Sequence, residues 1–141
     1  MTGVGKMPSL VVVDDQGYFV ADPDGDPITF IYDERDKEEA QDLAEEMSRK
    51  LQRRFEVKDY DEVLFKLEKP IRIHSLYALR DTLEGKIVCA SLGYPITFYS
   101  QVSAEKAAKK MEEAVNRKFE VFVVPYDYRY EEIPEDACWT Y

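Results

Sequence analysis

The chain repeats itself, and the repeat limits the fold more than any other feature. Val11-Val12-Val13 followed by Gly17-Tyr18 returns as Ile87-Val88-Cys89 followed by Gly93-Tyr94, 76 residues later. Pro27-Ile28-Thr29-Phe30 returns unchanged as Pro95-Ile96-Thr97-Phe98. Ala40, Leu43, Ala44, Met47 and Leu51 return as Ala104, Ala107, Ala108, Met111 and Val115, and Arg53-Arg54-Phe55-Glu56-Val57 returns as Arg117-Lys118-Phe119-Glu120-Val121. A repeat of about 45 residues implies a duplicated supersecondary unit. On this alignment the first copy carries eight extra residues between Tyr18 and Pro27 and four between Phe30 and Ala40, both at connections that tolerate added chain.

Each copy reads as strands followed by a helix and a strand. Ser9–Asp14 is a β-branched run, Asp14-Asp15-Gln16-Gly17 is a turn, and strands follow at 18–21 and 28–32. From Asp36 to Arg54 the apolar residues keep helical spacing, and a strand begins at Phe55. In the second copy, strands at 86–91 and 96–100 precede a helix from Ser103, its expected N-cap, to Lys118, and a strand at 119–124. Between the copies, Glu62–Leu67 alternates like a strand, Ile71–His74 reads as a short strand, and Ser75 caps a short helix over Leu76–Leu83 closed by Gly85. The expected fold is therefore α+β: internally duplicated β-β-α-β units about a pseudo-two-fold, with a mostly antiparallel sheet and helices packed on one face. We expect one compact domain over 1–141. Its repeats lie at about 9–58 and 86–125, a strand and short helix at 59–85 link them, and an aromatic-acidic segment follows at 126–141.

With 45% hydrophobic and 13% aromatic residues, the 141-residue chain has ample material for a core. No apolar run approaches the ~20 residues that span a bilayer, and Met1–Met7 has no apolar stretch of the leader type. A soluble, cytoplasmic protein is expected (host cytoplasm, if the chain is viral). Charged residues reach 34% while Asn and Gln number only five, a balance common in proteins from hot environments. The net charge of -10 is concentrated: residues 14–46 hold 13 acidic and two basic residues, so the rest of the chain sums to +1. Such a block opposes direct binding to nucleic-acid backbones and suits a protein partner with a basic surface.

The chemistry-bearing residues form no recognised catalytic pattern. There is no phosphate-binding glycine loop, dinucleotide fingerprint or nucleophile elbow. Asp22, Asp24 and Asp26 resemble a cation-binding turn, but Gly25 precedes the third aspartate, Pro27 follows it, and the Glu of a calcium loop is missing. His74 stands alone, and Cys89 with Cys138 does not supply zinc-ligand spacing. Cys89 reads as a small buried hydrophobe, and two cysteines are too few for a disulfide framework. Glu56 and Glu120 hold equivalent strand positions. Where the second helix has Lys109 and Lys110, the first has Glu45 and Glu46. No catalytic residue, cofactor or metal is assigned.

Two resemblances are of outline. Gly17–Leu51, with Glu38-Glu39-Ala40 opening its helix, resembles the strand–turn–helix of HicB-type antitoxins, and Ile96–Pro125 is similar to a SPOR-type strand–helix–strand. Each covers about a quarter of the chain, rests on generic patterning and brings no functional residues, so no family follows from them. The expected function is non-enzymatic binding of a protein partner, one form of which is masking a basic, nucleic-acid-binding surface. The contact residues expected are Asp14, Asp15, Asp22, Asp24, Asp26, Glu34 and Asp36 on the acidic rim, and Tyr126, Tyr128, Tyr130 and Trp139 on the C-terminal segment. Two alternatives stand beside it: a small-molecule sensor or enzyme with a site at the seam between the repeats, and a self-associating structural or virion component.

Overall fold

The computed structural model describes residues 9–140, so Met1–Met7 and Tyr141 of the sequence analysis lie outside the described residues. The chain divides after Ile73 into two compact units, each with its own five-stranded sheet and its own long helix. The α+β class, the duplication and the mostly antiparallel pairing all hold.

In unit 1, strand β1 (Ser9–Asp14) is the hub. It pairs antiparallel with β2 (Tyr18–Ala21), β3 (Thr29–Ile31) and β4 (Phe55–Asp59). β4 takes one edge of β1 along Leu10–Asp14, while β2 and β3 share the other. Helix α1 (Glu34–Leu51) packs on one face of the sheet. A short helix α2 (Tyr60–Val63) and a 3₁₀ turn (Leu64–Lys66) follow, and Tyr60, Val63 and Leu67 close the other face over Val11, Val13, Phe19 and Ala21. Strand β5 (Lys69–Arg72) then pairs parallel with β2. β1 is thus buried on both faces, which explains its uninterrupted β-branched run.

Unit 2 repeats this order from a different start. Its hub is β6 (Ser75–Asp81), paired antiparallel with β7 (Ile87–Cys89), β8 (Thr97–Phe98) and β9 (Phe119–Pro125). Helix α3 (Gln101–Val115) covers one face, where Leu79, Val88, Ala104, Ala108 and Met111 form the buried cluster. Two 3₁₀ turns (Tyr126–Tyr130 and Glu135–Ala137) lead to β10 (Cys138–Thr140), which pairs parallel with β7 as β5 does with β2. The repeated element therefore takes in the segments that the sequence suggested were connector and tail.

This corrects the register of the repeat. Gly25 N–H donates to Asp22 O and Gly93 N–H to Ala90 O, each at 2.9 Å. Asp22 N–H donates to Asp26 O and Ala90 N–H to Tyr94 O, and Ala21 bridges Pro27 as Cys89 bridges Pro95. The equivalents are thus Phe19-Val20-Ala21 with Ile87-Val88-Cys89, and Gly25 with Gly93. The match of Val11–Val13 to Ile87–Cys89 was a coincidence of apolar triplets, and the eight-residue insertion disappears.

Two local expectations are also overturned. Leu76–Leu83 is not a helix. It forms most of β6 and the turn after it, because Leu76 and Ala78 are buried on one face while Leu79 joins the helix-side cluster on the other. Glu62–Leu67 is not a strand but the end of α2 and the 3₁₀ turn. The long helices match the sequence closely. Asp33 caps α1 by accepting from Asp36 N–H at 2.8 Å. Ser100, not Ser103, caps α3 by accepting from Ser103 N–H at 3.1 Å. Gln52 and Asn116 end the two helices in the left-handed conformation, at φ of 55° and 52°.

Candidate functional site

A buried aspartate closes the hub hairpin in each unit. Asp14 ends β1, and its Oδ1 accepts from the N–H groups of Gln16 and Tyr18 at 2.8 and 2.9 Å. Asp81 ends β6 and accepts from Glu84 and Lys86 N–H at 2.8 and 2.6 Å. Arg53, just past α1, lies 3.1 Å from Asp14 Oδ2, and its equivalent Arg117, just past α3, lies 3.6 Å from Asp81 Oδ2. Burial alone would raise the Asp81 carboxyl, but the Glu84 and Lys86 amides and the Arg117 guanidinium outweigh it and hold its pKa below the ordinary value. Both carboxylates tie the hairpin to the end of the helix, a structural task. Asp14, expected on a contact rim, is buried in it.

The other rim residues do not form one patch. Asp15 is exposed in the turn at the C-terminal end of β1. Glu34 and Asp36 open α1 after β3, whose Ile31 pairs with Ser9 at the opposite end of the hub. Asp24 and Asp26 are exposed in the β2–β3 loop, where Asp22 Oδ1 accepts from both their N–H groups at 2.9 and 3.0 Å. Asp36 Oδ2 accepts from Ile31 N–H. In α1, Asp42 and Glu46 are buried, whereas Lys106 and Lys110 at the equivalent positions of α3 are exposed. Glu56 pairs with Arg54 and Lys58, and Glu120 pairs with Arg80. Among the described residues, no group of three or more His, Cys, Asp or Glu side chains is placed to hold a metal ion.

The C-terminal segment gives the more organised surface. Tyr126 is buried, and Arg129 donates from Nη1 to the hydroxyls of Tyr126 and Tyr99, each at 3.0 Å. Burial, then the neighbouring Tyr99, push the Tyr126 phenol up to about 12. The Tyr128 ring meets Phe122 edge-on with centroids 6.5 Å apart, and Trp139 meets Phe119 at 5.0 Å in the helix-side core. Tyr126, Tyr128 and Trp139 thus anchor the segment to its own unit, and Tyr130 stays exposed. Ile133 N–H donates to Gly93 O, which seats the segment against the β7–β8 turn. Between them lies a cleft of about 490 Å³ lined by Ser91, Leu92, Glu132, Ile133, Glu135 and Cys138 among others. Leu92 is 78% exposed there, and of the lining residues Glu132 and Glu135 are exposed carboxylates.

Leu92, Glu132, Glu135 and Cys138 carried no signal as a group in the sequence, because the β7–β10 pairing and the Ile133–Gly93 hydrogen bond bring them together from distant positions. Compared with protein-family models, curated proteins and solved structures, the chain matches none of them. Among the described residues, no helix is long and apolar enough to cross a membrane.

Proposed function

We propose that this is a non-enzymatic binding protein whose partner is a protein presenting a basic surface with an apolar contact. The observation that carries this reading is the unit 2 cleft, where the exposed Leu92 lines the same hollow as the exposed carboxylates Glu132 and Glu135, beside a strand paired with β10. An exposed apolar side chain beside charged groups suits a protein contact site. Its charge repels phosphate backbones and draws in Lys and Arg, which fits a partner whose own task is nucleic-acid binding. The reading places the protein in the cytoplasm, beside such a partner.

The test is affinity capture from nuclease-treated host lysate with three proteins: wild type, Leu92→Asp, and Glu132→Lys/Glu135→Lys. The expected partner is basic, leaves the wild type as salt rises, and is lost from both variants. A control, Asp24→Lys/Asp26→Lys in unit 1, retains it. A partner held equally by all four proteins, or lost only from the unit 1 control, overturns the assignment.

A further inference from the structure

The two cysteines, 49 residues apart in sequence, meet in the fold. β10 pairs with β7 so that Cys138 faces Ile87 and Thr140 faces Cys89. Val88 and Trp139 turn to the helix-side cluster, so Cys89 and Cys138 share the opposite face. Their sulfurs are 3.0 Å apart, inside ordinary contact distance, and a shift of about 1 Å closes the ~2.05 Å bond of a disulfide. Their surroundings differ in kind. Cys89 is 1% exposed beneath the segment, whereas Cys138 is partly exposed and lines the cleft. Burial, then Cys138 beside it, push the Cys89 thiol up to about 12, which leaves Cys138 the more accessible sulfur for a first attack. At the equivalent positions of unit 1 stand Ala21 and Pro70, so the frame itself needs no sulfur there.

We propose that Cys89 and Cys138 are a reversible dithiol–disulfide pair, with Cys138 the entry thiol for a small organic disulfide and Cys89 the resolving thiol. The Cys138 thiolate attacks one sulfur of R–S–S–R. The S–S bond breaks, one R–SH leaves with the proton that Cys138 gave up, and a mixed disulfide remains on Cys138. Cys89 gives up its proton and attacks the Cys138 sulfur, releasing the second R–SH. Two cysteine thiols are oxidised by two electrons, and the small disulfide is reduced to two thiols. The bond pins the last strand to β7. The carboxylates Glu132 and Glu135 at the cleft select a cationic disulfide over an anionic one. None of this depends on the binding reading.

The test uses the full chain, first reduced and then exposed to cystamine, which is cationic, or to oxidised glutathione, which is anionic. With cystamine the monomer is expected to lose both free thiols and about 2 Da of intact mass, with a Cys89–Cys138 crosslink in the peptide map. Cys89→Ala, which copies unit 1, keeps a single half-cystamine on Cys138. Cystamine reacts about tenfold faster than oxidised glutathione at low salt, and the gap narrows as salt rises. Trp139 is the only tryptophan, so its fluorescence follows this strand, and its thermal midpoint rises by about 10 °C on oxidation. Two thiols left free, a stable adduct on the wild type, crosslinked dimers or an unmoved midpoint each overturn the proposal. The wild-type mass and peptide map decide it even if the variant does not fold.

Discussion

Units 1 and 2 share a hub strand, a capped helix, a buried aspartate paired with a partly exposed arginine and a parallel final strand, yet they fill that frame with different chemistry. Unit 1 puts bulk on its helix, with Leu43 buried where α3 has only Ala107. Unit 2 puts bulk on its last strand, where Trp139 reaches the helix-side cluster from β10. Unit 1 closes the second face of its sheet with Tyr60, Val63 and Leu67. Unit 2 runs the longer segment with Tyr126, Tyr128 and Arg129 before its final strand. The difference teaches that the backbone hydrogen bonds and the hairpin aspartate define the unit, while the source of core volume is free to move. What moved in unit 2 made the last strand carry both packing and a cleft.

Four measurements break or sharpen that comparison. The largest effect is expected for Asp81→Ala, which leaves two turn amides and Arg117 without their carboxylate and costs about 4 kcal/mol. Hydrogen exchange read peptide by peptide should place the loss in 74–140 and leave 9–73 protected. Trp139→Ala follows at about 3 kcal/mol, whereas Ile71→Ala, its counterpart in β5, costs about half as much. Equal losses would mean that the last strands matter alike in both units.

Gly17 and Gly85 close the two hub hairpins, both with positive φ, but a Cβ on Gly17 would stand 2.3 Å from Lys66 O while one on Gly85 meets open space. Alanine should therefore cost about 3 kcal/mol at Gly17, mostly by expelling the 3₁₀ turn, and about 1 kcal/mol at Gly85 through backbone strain alone. Denaturant titrations of both variants check the ratio. The smallest effect is a pH dependence. Because the Asp81 pKa is lower folded than unfolded, its contribution is present above the ordinary value of 3.8 and drains away as pH falls below it. Unit 2 of Asp81→Asn should show a flatter loss of stability between pH 5 and pH 2 than wild type.

Much of the frame was legible in the sequence, for physical reasons that particular residues show. The stripes Ala40-Leu43-Ala44-Met47 and Ala104-Ala107-Ala108-Met111 have helical period, so the helices and their alignment were readable, whereas the N-cap of the second falls on Ser100 and not on Ser103. The hub of unit 2 was not. In Leu76-Tyr77-Ala78-Leu79, residues buried on both faces erase the strand alternation, and Ser75 with Gly85 imitates helix caps. Apolar triplets such as Val11–Val13 and Ile87–Cys89 are interchangeable by composition, so the register had to come from the Gly25 and Gly93 turns. The cleft and the thiol pair were invisible for a different reason. They depend on a parallel pairing between distant strands, and no local pattern encodes that.

Each hub strand also sets an order of assembly. β1 and β6 are made before every strand they pair with, so a nascent hub leaves the ribosome without a mate. The identical segments Pro27–Phe30 and Pro95–Phe98 would each suit the other's hub. During synthesis they do not compete, because β2, β3 and β4 have claimed β1 before β8 exists. Refolding from denaturant removes that head start and offers both hubs to both copies at once, so a swapped pairing becomes the characteristic error of the diluted chain and is avoided by the growing one.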